Sequence, residues 1–489
     1  MNGPPPQIPA NRKTHRLAIT VLAIVVVVFV SPLALYFVYR RSLALSIQAR
    51  IDAIHQAGFP ATCAELDKWY PQPPAGENAA DVYGEAFAHY AMWTNEEARL
   101  PVPARAKGRP TFSSPPPPRL KRDLLPVVGS AKLPPRTEPL TPEMQKLVAE
   151  YLSDNAESLR LLHQAASMKS CRYPIDLTNG VRTLMPHLGS ARQAARLFEL
   201  ESIQYTEEQQ PRPAVESVVA SLDASRSLNQ EPTLISYLVL VACQDITLDS
   251  LERILNRMSL TDAQLTKLAA AIQESENQQA FTRAFAGERC MHVDVFQGLR
   301  TGKLSLRDIY GSSGNDSFSI RFVIAVYSST GLLQLDQREY LDVMERYVKA
   351  TQLLPPESLA AFDTVNDKLE HLTRWRILSR LLLPSLSRLA IKAGRGDAKI
   401  RDAQAALAVE GYRLANGNLP NQLSDVVPAF LPAVPSDPFD GKPLRYKTLA
   451  KGYMVYSVGD DRVDNGGTEK DSEGDSYVPG TDITFTVER

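Results

Sequence analysis

Thr261-Asp262-Ala263-Gln264-Leu265-Thr266-Lys267-Leu268-Ala269-Ala270-Ala271-Ile272 opens a helix and sets the pattern for most of the chain. Thr261 and Gln264 have the spacing of a capping box, in which each side chain takes up the other's free backbone N–H. Leu265, Leu268, Ala269 and Ile272 then recur on one face of a 3.6-residue period. Upstream, Thr141-Pro142 is a second helix start, followed by an apolar stripe at Leu147, Tyr151, Leu159 and Leu162. Short breaks fall at Gln210-Pro211-Arg212-Pro213, Glu231-Pro232 and Met258-Ser259. Residues 143–390 therefore read as antiparallel helix pairs stacked into an irregular α-solenoid. No period matches the tetratricopeptide consensus.

Further toward the N-terminus the composition changes. Residues 101–142 carry clustered prolines, including Pro115-Pro116-Pro117-Pro118, which cannot sustain a helix. Leu124-Leu125-Pro126-Val127-Val128 is apolar, so part of this stretch is expected to pack as a strap rather than hang as a linker. Residues 40–100 read as juxtamembrane helices. Leu43, Ile47, Ile51 and Ile54 extend one helix to a stop at Gly58 and Pro60, Thr62-Cys63-Ala64-Glu65 caps a short one, and Asn78 opens a run from Ala79 to about Leu100.

Leu17 to Tyr39 contains no charge. At about 1.5 Å per residue it is long enough for a hydrocarbon core about 30 Å thick. It runs on to Tyr36, Phe37 and Tyr39 instead of a small-residue cleavage site, which predicts an uncleaved single-pass anchor behind a cytoplasmic tail, residues 1–16. Pro32 should kink the span. Basic residues are nearly balanced around it, Arg12, Lys13 and Arg16 before and Arg40, Arg41 and Arg50 after, so charge alone does not orient it. Ile320–Leu333 is too short to span and predicts a core helix. Arg374–Lys392, with leucines among basic residues, predicts packing in the body, with a membrane surface as the alternative.

The chain's 489 residues leave room for two or three domains beyond the anchor. A formal net charge of −1 gives no basic excess for nucleic acid, and 44% apolar residues are enough for a packed body. Cys63, Cys171, Cys243 and Cys290 are widely spaced with no CxxC, which excludes a zinc ribbon or a thioredoxin-like pair. Buried free thiols are expected ahead of any disulfide. There is no P-loop, dinucleotide fingerprint, nucleophile elbow or HExxH helix.

Residues 391–489 read as a small α+β module. A helical run ends at Asn416-Gly417, followed by Ser436-Asp437-Pro438-Phe439-Asp440-Gly441-Lys442-Pro443-Leu444-Arg445-Tyr446, then Tyr453-Met454-Val455-Tyr456-Ser457-Val458-Gly459-Asp460-Asp461, then an acidic glycine-rich loop to Asp482-Ile483. This order resembles the C-terminal module of the major (G-type) pseudopilin of type II secretion. The resemblance implies a small sheet, a calcium-holding loop and an extracytoplasmic body on a bacterial inner membrane. Carried across, it makes Asp461 and Asp482 metal ligands, with Asp464 between them as the third candidate. Carboxylates in a loop that glycines allow to bend are the chemistry calcium prefers. Arg462 stands where that family usually has glycine, and the span has neither the family's processing site nor its glutamate, so pilin-like assembly is not expected. Residues 61–296, through Ala64-Glu65-Leu66-Asp67-Lys68-Trp69-Tyr70-Pro71, Val127–Pro134 and Cys171-Arg172-Tyr173-Pro174-Ile175-Asp176, are similar to a family of uncharacterised membrane-anchored bacterial proteins. That resemblance implies no activity.

Two other clusters invite chemistry. Cys290 and His292 sit two residues apart, about 200° around a helix, which favours core packing over a nucleophile and its base. His187, with Arg192, Arg196, Glu199 and Glu201, favours ion pairing between helices over acid/base work. The expectation is therefore a mainly α, membrane-anchored envelope protein, non-enzymatic, that binds another protein and carries a head stabilised by calcium. The rival is an extracytoplasmic hydrolase with its site near His187 and Glu199. A cytoplasmic scaffold is a third possibility.

Overall fold

A computed structural model describes residues 12–91, 93, 121–304, 325–373, 375–383, 386–469 and 480–489. It is mainly helical, with one small antiparallel sheet. The helices begin with α1 (Arg12–Val25), α2 (Ser31–Gln56), α3 (Cys63–Trp69), α4 (Ala79–Ala88), α5 (Pro142–Asp154) and α6 (Ala156–Ala166). Next come α7 (His187–Glu207), α8 (Pro211–Arg226), α9 (Leu234–Arg257), α10 (Asp262–Ser275) and α11 (Gln278–Thr301). The last are α12 (Leu332–Thr351), α13 (Glu357–Glu370), α14 (Ile377–Leu382) and α15 (Ser387–Asn416). The strands are β1 (Arg445–Thr448), β2 (Tyr453–Ser457) and β3 (Ile483–Val487).

Two compact units emerge, one of residues 1–59, 296–342 and 373–381, the other of residues 60–295, 343–372 and 382–489. In the first, the described apolar side chains from Leu17 to Tyr39 stand exposed, and the helix that carries them is long and apolar enough to cross a membrane. Between α1 and α2, Val26–Val30 is π-helical. Pro32 explains it: proline has no N–H to give the turn behind it and its ring crowds a carbonyl there, so the ladder widens by one residue. Ser31 Oγ donates to Val26 O at 3.1 Å and takes up part of the slack. The same unit is cross-braced. Arg50 holds Asp342 through two bonds, Nε to Oδ1 at 2.7 Å and Nη2 to Oδ2 at 2.8 Å. Gly331, at φ +88°, lies against Tyr39 and Leu43, where a Cβ would come within 3.1 Å of the tyrosine ring.

In the second unit the caps read from sequence form as expected. Thr261 N–H donates to Gln264 Oε1 at 2.8 Å, and Thr141 Oγ1 accepts from Met144 N–H at 3.3 Å. The helix expected from Ala79 to Leu100 stops at Ala88. Its chain is drawn off by the buried Asn155, whose amide accepts from Ala91 N–H at 3.0 Å and donates to Ala91 O at 3.3 Å; residues 94–100 lie outside the described part. So do residues 305–324, and with them the first five residues of the helix expected at Ile320–Leu333; of the rest, residues 325–329 are helical and α12 begins at Leu332 after a turn at residues 330–331.

α7 packs on α8 and α9, α8 also on α10, and α10 on α15. Leu222, Leu251, Leu255, Leu268 and Ile272 fill the space between them, and the alanines of α15, Ala403, Ala405 and Ala406, allow close approach. The sheet, ordered β1-β2-β3, closes the same core with Tyr453, Val455, Phe485 and Val487. The Tyr453 hydroxyl donates to Ala406 O in mid-α15 at 3.0 Å. Across from it, Asn256 of α9 donates to Thr486 O and accepts from Glu488 N–H, both at 2.7 Å. α15 thus runs unbroken through residue 390, and the sheet shares one core with the helices.

The proline-rich stretch, where described, is a strap. Leu125, Val128 and Leu140 are buried. Its backbone carbonyls are held from α9: Arg253 donates to Pro134 O at 3.0 Å and Glu138 O at 2.7 Å, and Arg257 to Thr137 O at 2.8 Å.

Candidate functional site

The three predicted metal ligands surround one turn, residues 461–468. Asp461 accepts from Val463 N–H at 3.0 Å, Gly480 N–H at 3.3 Å and the Asn465 amide at 3.4 Å. Asp464 accepts from Gly466 N–H at 2.9 Å and the Tyr456 hydroxyl at 3.1 Å. Asp482, nearly buried, accepts from Gly467 N–H at 2.7 Å and from Asn465 and Thr468 N–H at 3.3 Å. Asn465 therefore links Asp461 to Asp482. Its neighbours Gly466 and Gly467 take φ of +70° and +76°, which lets successive N–H groups converge on one carboxylate. Arg462 turns away, to Asp363 at 2.8 Å.

A carboxylate offers about four acceptor positions, so two or three bonds each leave these aspartates capacity for a cation. Among the described residues no group of three or more His, Cys, Asp or Glu side chains is spaced to hold a metal ion. Asp471, Glu473 and Asp475 of the same acidic loop lie outside the described part.

The aspartate that organises the module is Asp437, fully buried. It accepts from Arg445 at 2.6 Å, Ser457 Oγ at 2.8 Å, and Phe439 and Val458 N–H at 2.9 Å. Arg445 reaches Asp440 as well. The quoted Asp437-to-Arg445 wording is thus a folding device: it ties the hairpin approach to the end of β2. Beneath it, on α15, both carboxyl oxygens of Asp402 are buried and lack a hydrogen-bond partner. Burial, with the Asp437 carboxylate near, pushes the Asp402 carboxyl well up from the usual carboxylate range.

His187 and Glu199 do not meet. Both lie on α7, twelve residues or about 18 Å apart along its axis. His187 Nε2 instead sits 2.9 Å from the buried Glu231, and its ring stacks on Tyr173 at 4.2 Å. Burial pushes the Glu199 carboxyl up to about 8. Glu201 bonds His163 at 2.9 Å and Ser217 Oγ at 2.6 Å, joining α6, α7 and α8. Cys290 is buried with its thiol against Pro60 O at 3.2 Å. Burial pushes that thiol up to about 12 and His292 down to about 4, so neither thiolate nor imidazolium forms near neutrality. All four cysteines are free.

Sequence reasoning missed an open cleft of about 670 Å³ between residues 71–83, residues 166–171 and the end of α8. Asp223 and Glu274 both pair with Arg226 there. The amide oxygens of Asn229 and Gln230, also in its lining, are buried and unpartnered. Neighbouring amides at a helix end carry no periodicity signal, so only folding brings them to the cleft. Comparison with known proteins found no matching family model, curated protein or solved structure.

Proposed function

We propose that the chain is a single-pass membrane protein whose folded body binds a partner protein, without chemistry of its own. The observation that carries the anchor is the exposed apolar run up to Tyr39, continuous with a helix that is braced to folded structure by Arg50 and Asp342. The cleft supports the binding role. Its open, polar lining at residues 71–73, 166–171, 227 and 229–230 leaves room for a peptide segment, and Arg226 already pairs the two carboxylates beside it, Asp223 and Glu274. The solenoid-like succession from α7 to α10 supplies the platform. The body lies outside the cytoplasm of a bacterial cell, with the tail of residues 1–16 inside, and calcium stabilises the turn around Asp461, Asp464 and Asp482.

Alkaline extraction of membranes and a topology reporter fused after Arg489 test the anchor and its direction. Release of the protein into the alkaline supernatant overturns the anchor, and a reporter active only in the cytoplasm overturns the orientation. For the cleft, a photo-crosslinker at Met168 should capture one defined protein, and Asn229→Leu should abolish that product. Capture that is unchanged by the substitution counts against the cleft.

A further inference from the structure

Where the apolar run ends, the first unit presents a second apolar surface. The Tyr36 hydroxyl donates to Ser329 O, and Arg40 donates to Ser328 O at 2.6 Å and Ser329 O at 3.1 Å. Residues 325–331 therefore lie beside the helix turn at which the anchor leaves the hydrocarbon. From this segment Tyr327 reaches the next: its hydroxyl donates to Asp336 at 2.6 Å, lies 2.8 Å from Trp375 O, and accepts from Ile377 N–H at 3.3 Å. Asp336, fully buried, takes Leu378 N–H at 2.8 Å, Ser379 N–H at 3.3 Å and Ser379 Oγ at 2.5 Å. This mount fixes Trp375 and the start of α14 beside the anchor. Yet the Trp375 side chain is held out, 64% exposed, with Val326 and Ile377 each at 40%. Arg376 and Arg380 flank it, the latter exposed.

A fixed, bare indole is unfavourable in water and suited to the lipid–water boundary, where its ring meets acyl chains and its N–H meets headgroups. Basic side chains at that level attract anionic lipid. We propose that Val326, Trp375 and Ile377 seat in the interface of the same membrane that the anchor crosses, with Arg376 and Arg380 on anionic phospholipid headgroups. This rests on the reading of Leu17–Tyr39 as an anchor and gives the first unit a second membrane contact. Such a contact would limit the tilt and rotation of the anchor.

The test uses the full chain reconstituted in vesicles. Flotation with the vesicles reads the anchor; tryptophan emission reads the seat. Lipids brominated near the headgroup should quench a blue-shifted component that Trp375→Phe removes, and lipids brominated near the chain end should quench it less. Vesicles containing phosphatidylglycerol should deepen the quenching over phosphatidylcholine alone, and Arg376→Gln with Arg380→Gln should abolish that difference. Protein that floats while Trp375 stays open to aqueous iodide overturns the seat and leaves the anchor standing; protein that does not float overturns the anchor. If Trp375→Phe does not fold, Ile377→Trp adds a second reporter to the same surface, and the brominated lipids should then quench a larger share of the emission.

Discussion

Arg136 of the strap and Glu252 of α9 meet at 2.7 Å. The same guanidinium holds Glu469 at 2.6 Å and Glu488 at 3.1 Å, on either side of β3. Glu252 in turn accepts from Thr486 N–H at 2.7 Å, so one cation and one carboxylate fasten strap, helix and sheet together. Arg136→Ala leaves Glu252 without its cation. Because the cluster is only partly shielded, the loss should be about 2–3 kcal/mol, below that of a fully buried pair. Denaturant unfolding of the full-length protein in detergent measures it. A loss under about 0.5 kcal/mol, the usual effect at an unremarkable surface site, would show that the strap is held by its apolar side chains alone.

Stability should fall as pH rises through neutrality. Burial pushes Glu199 up to about 8 and Glu252 up to about 7, and holds Asp402 well up. The unfolded chain has released these protons by about pH 6, whereas the folded chain still binds them. Stability therefore falls from about pH 4.5, where the unfolded carboxyls release their protons, to about pH 8, and the contribution of Glu199 and Glu252 levels off above that. His292, held down to about 4, offsets part of this loss below about pH 6.5 and none of it above, so the fall is clearest from there to about pH 8. Asp402→Asn and Glu199→Gln should each flatten the profile of Tm against pH and raise Tm at the alkaline end. A parallel downward shift would contradict the assignment.

Calcium should raise the unfolding temperature of the full chain relative to a chelator. A ligand at about a hundred times its Kd adds about 2.7 kcal/mol if it binds only the folded form. Asp461→Ala and Asp482→Ala should both remove the increment. Asp482→Ala should also destabilise the calcium-free protein, because it strips the acceptor from Gly467, Asn465 and Thr468 N–H. An equal Tm with calcium and with chelator removes the metal from the proposal.

Thiol reagents should find little to react with. Burial pushes Cys171, Cys243 and Cys290 up to about 12, and the thiolate is the reactive form. Maleimide at pH 7 should label the native protein slowly and the denatured protein at four sites. Rapid native labelling at any of them would mean that its burial is not maintained in solution.

The helices were legible because their signals are local. Thr141-Pro142 and Thr261 with Gln264 announce starts within four residues, and the span at Leu17–Tyr39 needs only a count. The strap was half legible: the apolar Leu125 and Val128 pointed to packing, but its anchoring arginines lie over a hundred residues away on α9. The end of α4 was misread because the competing partner, Asn155, is remote. At the candidate site, the resemblance drew attention to Asp461, Asp464 and Asp482; each bonds to the turn of residues 461–468, yet among the described residues no three such side chains are spaced to hold a metal ion. Asp437, quoted for its wording, is the residue that holds the module, and its role depends on Ser457 and Arg445 arriving from other segments. Asn229 and Gln230 are ordinary in sequence; only their buried, unpaired oxygens mark them.

The bonds from Asn256 to Thr486 and Glu488 also order events in time. The partners are 230 residues or more apart, so α9 leaves the ribosome long before the strand that completes it. Until residues 483–488 arrive, the apolar face that β3 covers has no cover and Glu252 has no Thr486. Closure of the body is therefore a late, long-range step, of the kind that folds slowly and exposes sticky surface on the way. With Leu17–Tyr39 inserted as proposed, a nascent chain would wait at the membrane, held by one end and unfinished at the other. Ribosome-stalled chains ending before Ile483 should accordingly be protease-sensitive throughout α9 and α15, while those reaching past Arg489 become resistant in a single step.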